Sequence, residues 1–247
     1  MFDRNLNRKR SAEGNLFAVA LIDVILCFSA LAHSDRSPIA VMKSMYAARD
    51  GALEVQPASN FWRDAPSVFF DGDNFGHLVS SLRTAVRSRW TDDSLYLLFI
   101  CPYQSLNLKP FPQTKTKTDE LWNWDVAEVF IGSDPAHIGR YKEFEISPQG
   151  EWIDLAIDVD LRQHNVDWHS GFATAATIDS AKKIWYGAMR IPFAALGSSP
   201  PAAGRDFRIN LFRCEGVEPH RRLLAWQAPM GNSFHVPERF GRLELAK

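Results

Sequence analysis

The sequence predicts an all-β fold, an antiparallel β-sandwich of immunoglobulin or jelly-roll type, preceded by a segment that resembles a signal peptide. Three observations predict it. At least nine short apolar runs follow one another with residues alternating in character, as strands require. The stretches between them carry turn chemistry, as in Thr91-Asp-Asp-Ser94 and Ser147-Pro-Gln-Gly150. Helical periodicity is almost absent, and 247 residues at 46% hydrophobic and 12% aromatic suffice for one sizeable core.

The elements justify themselves in order. Residues 1–32 read as a signal peptide: Arg4, Arg8, Lys9 and Arg10 precede the largely apolar Leu16–Leu31, and Ala30-Leu-Ala32 has the small-x-small form of a cleavage site. Asp23 interrupts the apolar run, which is also short for a membrane span. Residues 33–59 read as a weakly ordered lead-in, and the folded domain as residues 60–247. Ser67–Phe70 is a strand, Thr84–Trp90 and Leu95–Cys101 form a hairpin, and Pro102–Glu120 is a long loop rich in Lys, Thr and Pro that can rim a site. Ala173–Ile178 and Ile184–Ile191 form another hairpin. Pro192–Leu196 is one helical turn, and Arg208–Cys214, Leu223–Trp226 and Gly241–Leu245 are the last strands.

The stretch Leu121–Ile157 carries the chemistry. It predicts strands over Asp125–Ile131, Tyr141–Ile146 and Trp152–Asp158. The first is apolar on both faces with Glu128 set between Val126 and Phe130, so it reads as a central strand whose carboxylate is paired or open to a cleft. In the second, Phe144 and Ile146 share one face, and Tyr141, Glu143 and Glu145 the other. In the third, Ile153, Leu155 and Ile157 are expected in the core, with Trp152, Asp154 and Asp158 facing away. Trp122 and Trp124 stand at the entrance. Flat aromatic rings beside carboxylates match a sugar, which offers a C–H face to a ring and a hydroxyl rim to polar groups. The competing account is a solvated sheet face with the aromatics in the core.

Other classes find less support. A formal net charge of −1 argues against a nucleic-acid or membrane-surface partner. Cys101 and Cys214, both at strand ends, form a disulfide in an oxidising compartment or remain two small buried groups. Neither CxxC nor metal-ligand spacing is present, and the His164-x4-His169 pair reads as two exposed loop histidines.

The ordered set Trp90-Thr-Asp-Asp-Ser-Leu-Tyr96, Trp122-x-x-Asp125-x-x-Glu128-Val-Phe-Ile131, Tyr141-x-Glu-Phe, Trp185-x-x-x-Met-Arg-Ile-Pro192, Arg208-Ile-Asn-Leu-Phe212, Ala225-Trp226 and Phe240-Gly-Arg-Leu243 resembles the family 9 carbohydrate-binding modules, with their DOMON-like β-sandwich. The resemblance covers about Phe61 to Leu245 and implies non-catalytic binding of an oligo- or polysaccharide of plant type, in support of carbohydrate catabolism, by a secreted or periplasmic protein. A glycoside hydrolase partner would be a separate chain. In the family two aromatics clamp a terminal sugar. Trp122 matches the first, Glu128 a sugar-binding carboxylate, and Gly231-Asn-Ser-Phe234 the second, with Phe234 where characterised binders have Trp and Asn232 as the nearby amide. A strand arginine of such binders falls at Glu145. No cofactor is implied, although some members carry calcium; no loop here can be assigned to it. The expected site is therefore Trp122, Trp124, Asp125, Glu128, Tyr141, Glu143, Glu145, Asn232 and Phe234. The rival readings are a protein-contact sandwich that has lost sugar binding, a carboxylate-based glycoside hydrolase, and a haem-binding electron-transfer domain using Met189 or Met230.

Overall fold

The computed structural model describes residues 39–197 and 199–247, so the signal-peptide reading of residues 1–32 and Cys27 lie outside the described residues. Every strand expected from the sequence forms, and helix is confined to single 3-10 turns of three residues each among the described residues. The strands are β1 (Val41–Tyr46), β2 (Ser67–Phe70), β3 (Gly72–Asp73), β4 (Thr84–Trp90), β5 (Ser94–Pro102), β6 (Val126–Gly132) and β7 (Arg140–Ile146). They continue as β8 (Trp152–Asp158), β9 (Gln163–Asn165), β10 (Ala173–Asp179), β11 (Ile184–Pro192), β12 (Asp206–Glu215), β13 (Arg222–Ala225) and β14 (Gly241–Ala246).

Hydrogen bonding runs β10-β11-β5-β4-β1-β14-β12-β6-β7-β8-β9, with β2 added on β4 and β13-β3 on β12. The two halves of this ladder pack face to face as a β-sandwich. Leu95, Leu97, Phe99 and Cys101 of β5 share one apolar cluster with Ala127, Val129 and Ile131 of β6 and Phe144 and Ile146 of β7. β5 alternates inward and outward, and its outward Tyr96 and Leu98 are covered by Trp62 and Ala65. β6 behaves likewise: Val126 and Phe130 sit in a separate outer cluster with Tyr141, Phe212 and Phe240. Both central strands are thus buried on both faces, which explains their continuous apolar runs.

Three expectations need correction. Within the expected lead-in, residues 41–46 form β1, which lies mid-sheet between β4 and β14. The sequence hides it because Ser44 occupies a fully buried position, where its hydroxyl lies 2.8 Å from that of Ser88; a buried polar pair satisfies itself but breaks the apolar alternation. β1 is also parallel to both neighbours, so the sheet is mixed rather than wholly antiparallel. The third concerns β8. Its register puts Leu155 opposite Glu143 and Ile153 opposite Glu145, so Ile153, Leu155 and Ile157 share the carboxylate face and pack in the outer cluster. Asp154 opposes Phe144 on the inner side. Faces follow cross-strand register, which the alternation within one strand does not specify.

Candidate functional site

A cavity of about 480 Å³ opens over the outer face of β6, β7 and β12. Its floor is Glu128, Phe130 and Glu143, and its sides are Trp122, Asn123, Arg221, Leu223, His164, Cys214 and the segment Asn232–His235.

Trp122 is 37% exposed and rides on a 3-10 turn, Leu121–Asn123. The turn starts at Glu120 in the left-handed region, φ 54°, and buried Leu121 anchors it in the outer cluster. Arg221 fixes its far end by donating to the carbonyls of Trp122 at 2.5 Å and Trp124 at 3.0 Å. Asp125 is fully buried and accepts from the Gly216 and Asn107 amides at 2.7 and 3.1 Å. Burial raises its pKa to about 6, against the pull of those two donors. It pins three chain segments together and does not line the cavity, nor does Trp124.

The second aromatic is placed from the other side. Buried Asn210 on β12 donates to the Gln227 carbonyl at 2.8 Å and accepts from its amide at 3.0 Å. Asn74, after β3, donates to the Gly231 carbonyl at 2.7 Å. The loop so held delivers Phe234, whose ring stacks on Phe212 at 4.1 Å and 14°. A stacked neighbour holds the ring at little entropic cost. Tyr141 does not line this cavity. Its hydroxyl lies 2.6 Å from Nδ1 of His235, whose ring stacks on Phe130 at 5.1 Å. His164, carried by β9, meets His235 edge-on at 4.7 Å. Burial, and secondarily His164, lowers the His235 pKa to about 4, so the ring is neutral near pH 7.

The floor is electrostatically unusual. Glu128, Glu143 and Glu145 are 2%, 4% and 0% exposed, and their ligand-type oxygens lie within 4.8 Å of one another. Register explains the convergence: Glu128 opposes Glu145 across β6 and β7, and Glu143 is two residues away on the same face. The Cys214 thiol donates to Glu128 at 3.3 Å. Among the described residues neither Glu145 oxygen, nor Oε2 of Glu143, has a hydrogen-bond partner. What faces them is another carboxylate, which can bond only by keeping a proton. Burial first, then mutual repulsion, raises the pKa of Glu128 and Glu145; for Glu143 burial is the cause. Among the described residues this is the one group of three or more acidic, histidine or cysteine side chains close enough together to share a cation.

Five expected residues therefore meet in the cavity: Trp122, Glu128, Glu143, Asn232 and Phe234. Glu145 lies behind the floor. Arg221, His164 and His235 belong to the site but were not legible from the sequence. His164 is exposed, as expected, yet it sits on a strand rather than a loop. Cys101 and Cys214 are both free and buried, and they occupy different clusters, inner and outer. No disulfide joins them, since Cys101 lies between the two halves of the sandwich and Cys214 on the outer face. Met189 is buried in the interior, as its strand pattern suggested, and Met230 is exposed.

The fold has known counterparts. A putative carbohydrate-binding protein from Bacteroides uniformis superposes with a TM-score of 0.66 at 15% identity, covering 83% of this chain and 98% of that one. A family 9 carbohydrate-binding module from Caldicellulosiruptor kristjanssonii, solved with cellotriose, gives 0.58 at 15% identity over 84% of this chain and 94% of its own. The same module with glucose gives 0.58 at 14% identity, over 83% and 96%. Among curated proteins, one described as an extracellular protein of Arthroderma benhamiae is 24% identical over 218 residues, covering 68% of this chain and 97% of its own length. The model of the carbohydrate family 9 binding domain-like family matches residues 56–247, and the chain belongs to that family.

Proposed function

We propose that the protein binds carbohydrate without cleaving it, in the cavity between Trp122 and Phe234. One observation carries this reading. Two aromatic rings, one on a turn anchored by Leu121 and Arg221 and one stacked on Phe212, open onto a floor of carboxyl groups with the Asn232 amide beside them. A pyranose can lay its C–H face on a ring and donate its hydroxyls to Glu128 and Glu143. The solved relatives that hold cellotriose and glucose support the ligand class, and the expectation of a plant-type oligo- or polysaccharide sets the first panel. A hydrolytic reading has less support. The matched family is one of binding domains, and the solved relatives are carbohydrate-binding proteins. The curated extracellular relative supports action outside the cell.

The test is calorimetric titration with glucose, cellobiose, xylose and xylobiose. At least one should bind in the micromolar to millimolar range, with no reducing ends released from the oligosaccharides. Trp122→Ala should weaken binding about tenfold or more, since a stacking anchor accounts for much of such an interface. Unchanged affinity in that variant would displace the site from this cavity.

A further inference from the structure

The carbohydrate reading leaves the third carboxylate unexplained. Glu145 is fully buried behind Glu128 and Glu143, and none of the three meets a cationic side chain in an ion pair among the described residues. A neutral sugar needs acceptors, but two would serve. Three carboxyl groups converge within 4.8 Å, three of their oxygens receive no donor from any other residue, and the site by itself is held only by the protons the acids keep. Leaving such groups unpaired is costly, and an incoming cation with several donors removes the cost.

The surroundings fit such a guest. Among the described residues the one fixed cation lining the cavity is Arg221; its charge reaches Glu128, but its donors go to the carbonyls of Gly216, Trp122 and Trp124 and it makes no ion pair with the three acids. The other titratable groups facing the floor are His235, His164, Tyr141 and Cys214. Buried His235 is neutral near pH 7, and the tyrosine and thiol do not become cationic. An aromatic wall, Trp122, adds attraction for a cation at its face.

We propose that this floor is a cation subsite and that the sugar it selects carries a protonated amine, as a 2-amino-2-deoxyhexose does. An ammonium presents three donors and no acceptor, matching three acceptor groups. The inference rests on the carbohydrate reading and names its ligand class.

The experiment is a set of titrations of the full chain with glucosamine, glucose, N-acetylglucosamine and calcium chloride, at a pH where the amine is protonated. Glucosamine should bind about tenfold or more tightly than glucose, equivalent to about 1.4 kcal/mol. N-acetylglucosamine, which has the substituent without the charge, should show no such gain. In Glu145→Gln the ratio of glucosamine to glucose affinity should fall severalfold. That variant removes the acid and keeps the shape, and circular dichroism should show it folded. Glucose binding with no amine preference overturns the subsite and leaves the carbohydrate reading standing. Equal gain by N-acetylglucosamine, or an unchanged ratio in Glu145→Gln, also overturns it. Calcium binding at this floor without amine preference assigns the carboxylates to a free ion and overturns the amino-sugar assignment. Failure of every sugar to bind the folded protein removes both readings.

Discussion

β7 and β8 carry buried carboxylates on both faces, and the two faces treat them differently. On the inner side Asp154 of β8 is 1% exposed and meets a cation and two donors. The Lys117 ammonium lies 2.6 Å from Oδ1, and the Ser170 amide and hydroxyl donate to Oδ2 at 2.7 and 2.5 Å. Lys117 also donates to the carbonyls of Asp154 and Val166 at 2.8 Å and to that of Trp168. On the outer side Glu128, Glu143 and Glu145 are as deeply buried but face one another. A buried charge that the chain itself satisfies is architecture: Lys117 ties the long 102–120 loop to the sheet. Buried acids that meet only one another beside an open cavity keep protons until a partner arrives.

The largest effect should come from breaking the satisfied side. Lys117→Met leaves Asp154 uncompensated and should cost about 3–5 kcal/mol in urea unfolding. The double variant Lys117→Met with Asp154→Leu should recover most of that, because both charges are then gone. A loss below about 1 kcal/mol in the single variant would remove the contrast between the faces.

The outer side should respond in the opposite direction. Glu145→Gln removes a buried, donor-starved group and should stabilise the unliganded protein by on the order of 1 kcal/mol near pH 8. The pH dependence sharpens the point. Folding raises these carboxyl pKa values, Glu143 to about 7 and Glu128 to about 8 from the ordinary 4.5, so the folded state holds extra protons. Their stabilisation is complete below 4.5 and is lost as pH rises through those raised values. His235 is shifted down from 6.5 to about 4, so its contribution is present above 6.5 and lost as pH falls toward 4. Above 6.5, then, the carboxylates alone set the slope. The melting temperature should fall between about pH 6.5 and 8.5, and less steeply in Glu145→Gln. A melting temperature rising over that interval would contradict the burial of these groups.

The smallest effect calibrates the others. Arg140 pairs with Asp158 at 2.9 Å on these same strands, but the arginine side chain is 58% exposed. Arg140→Ala should shift stability by less than about 0.5 kcal/mol, measured by the same unfolding curves, because solvent screens the pair.

Much of this was legible in the chain. Period-two alternation located β4, β5, β7 and β8 within a residue or two, and the continuous apolar run of β6 marked it as central. Trp122, Glu128, Glu143, Asn232 and Phe234 were placed together through the family pattern, although 110 or so positions separate the two aromatics. Ser44 hid β1 because its pairing with Ser88 comes from a distant strand. Arg221 gave no signal, since its partners are backbone carbonyls, which every residue has.

The sequence by itself determined most of the strands, where they turn and which residue types the site would use, because these follow from local propensity and side-chain alternation. Tertiary structure decided the faces. Which side of β8 is apolar depends on register across Ser147–Gly150, and the burial of Asp125 depends on two amides from remote loops. Whether a carboxylate meets a lysine, as Asp154 does, or two further carboxylates, as Glu145 does, is a question of what the fold brings opposite. Charge burial is set by neighbours in space, and a strand carries no information about them until it is paired.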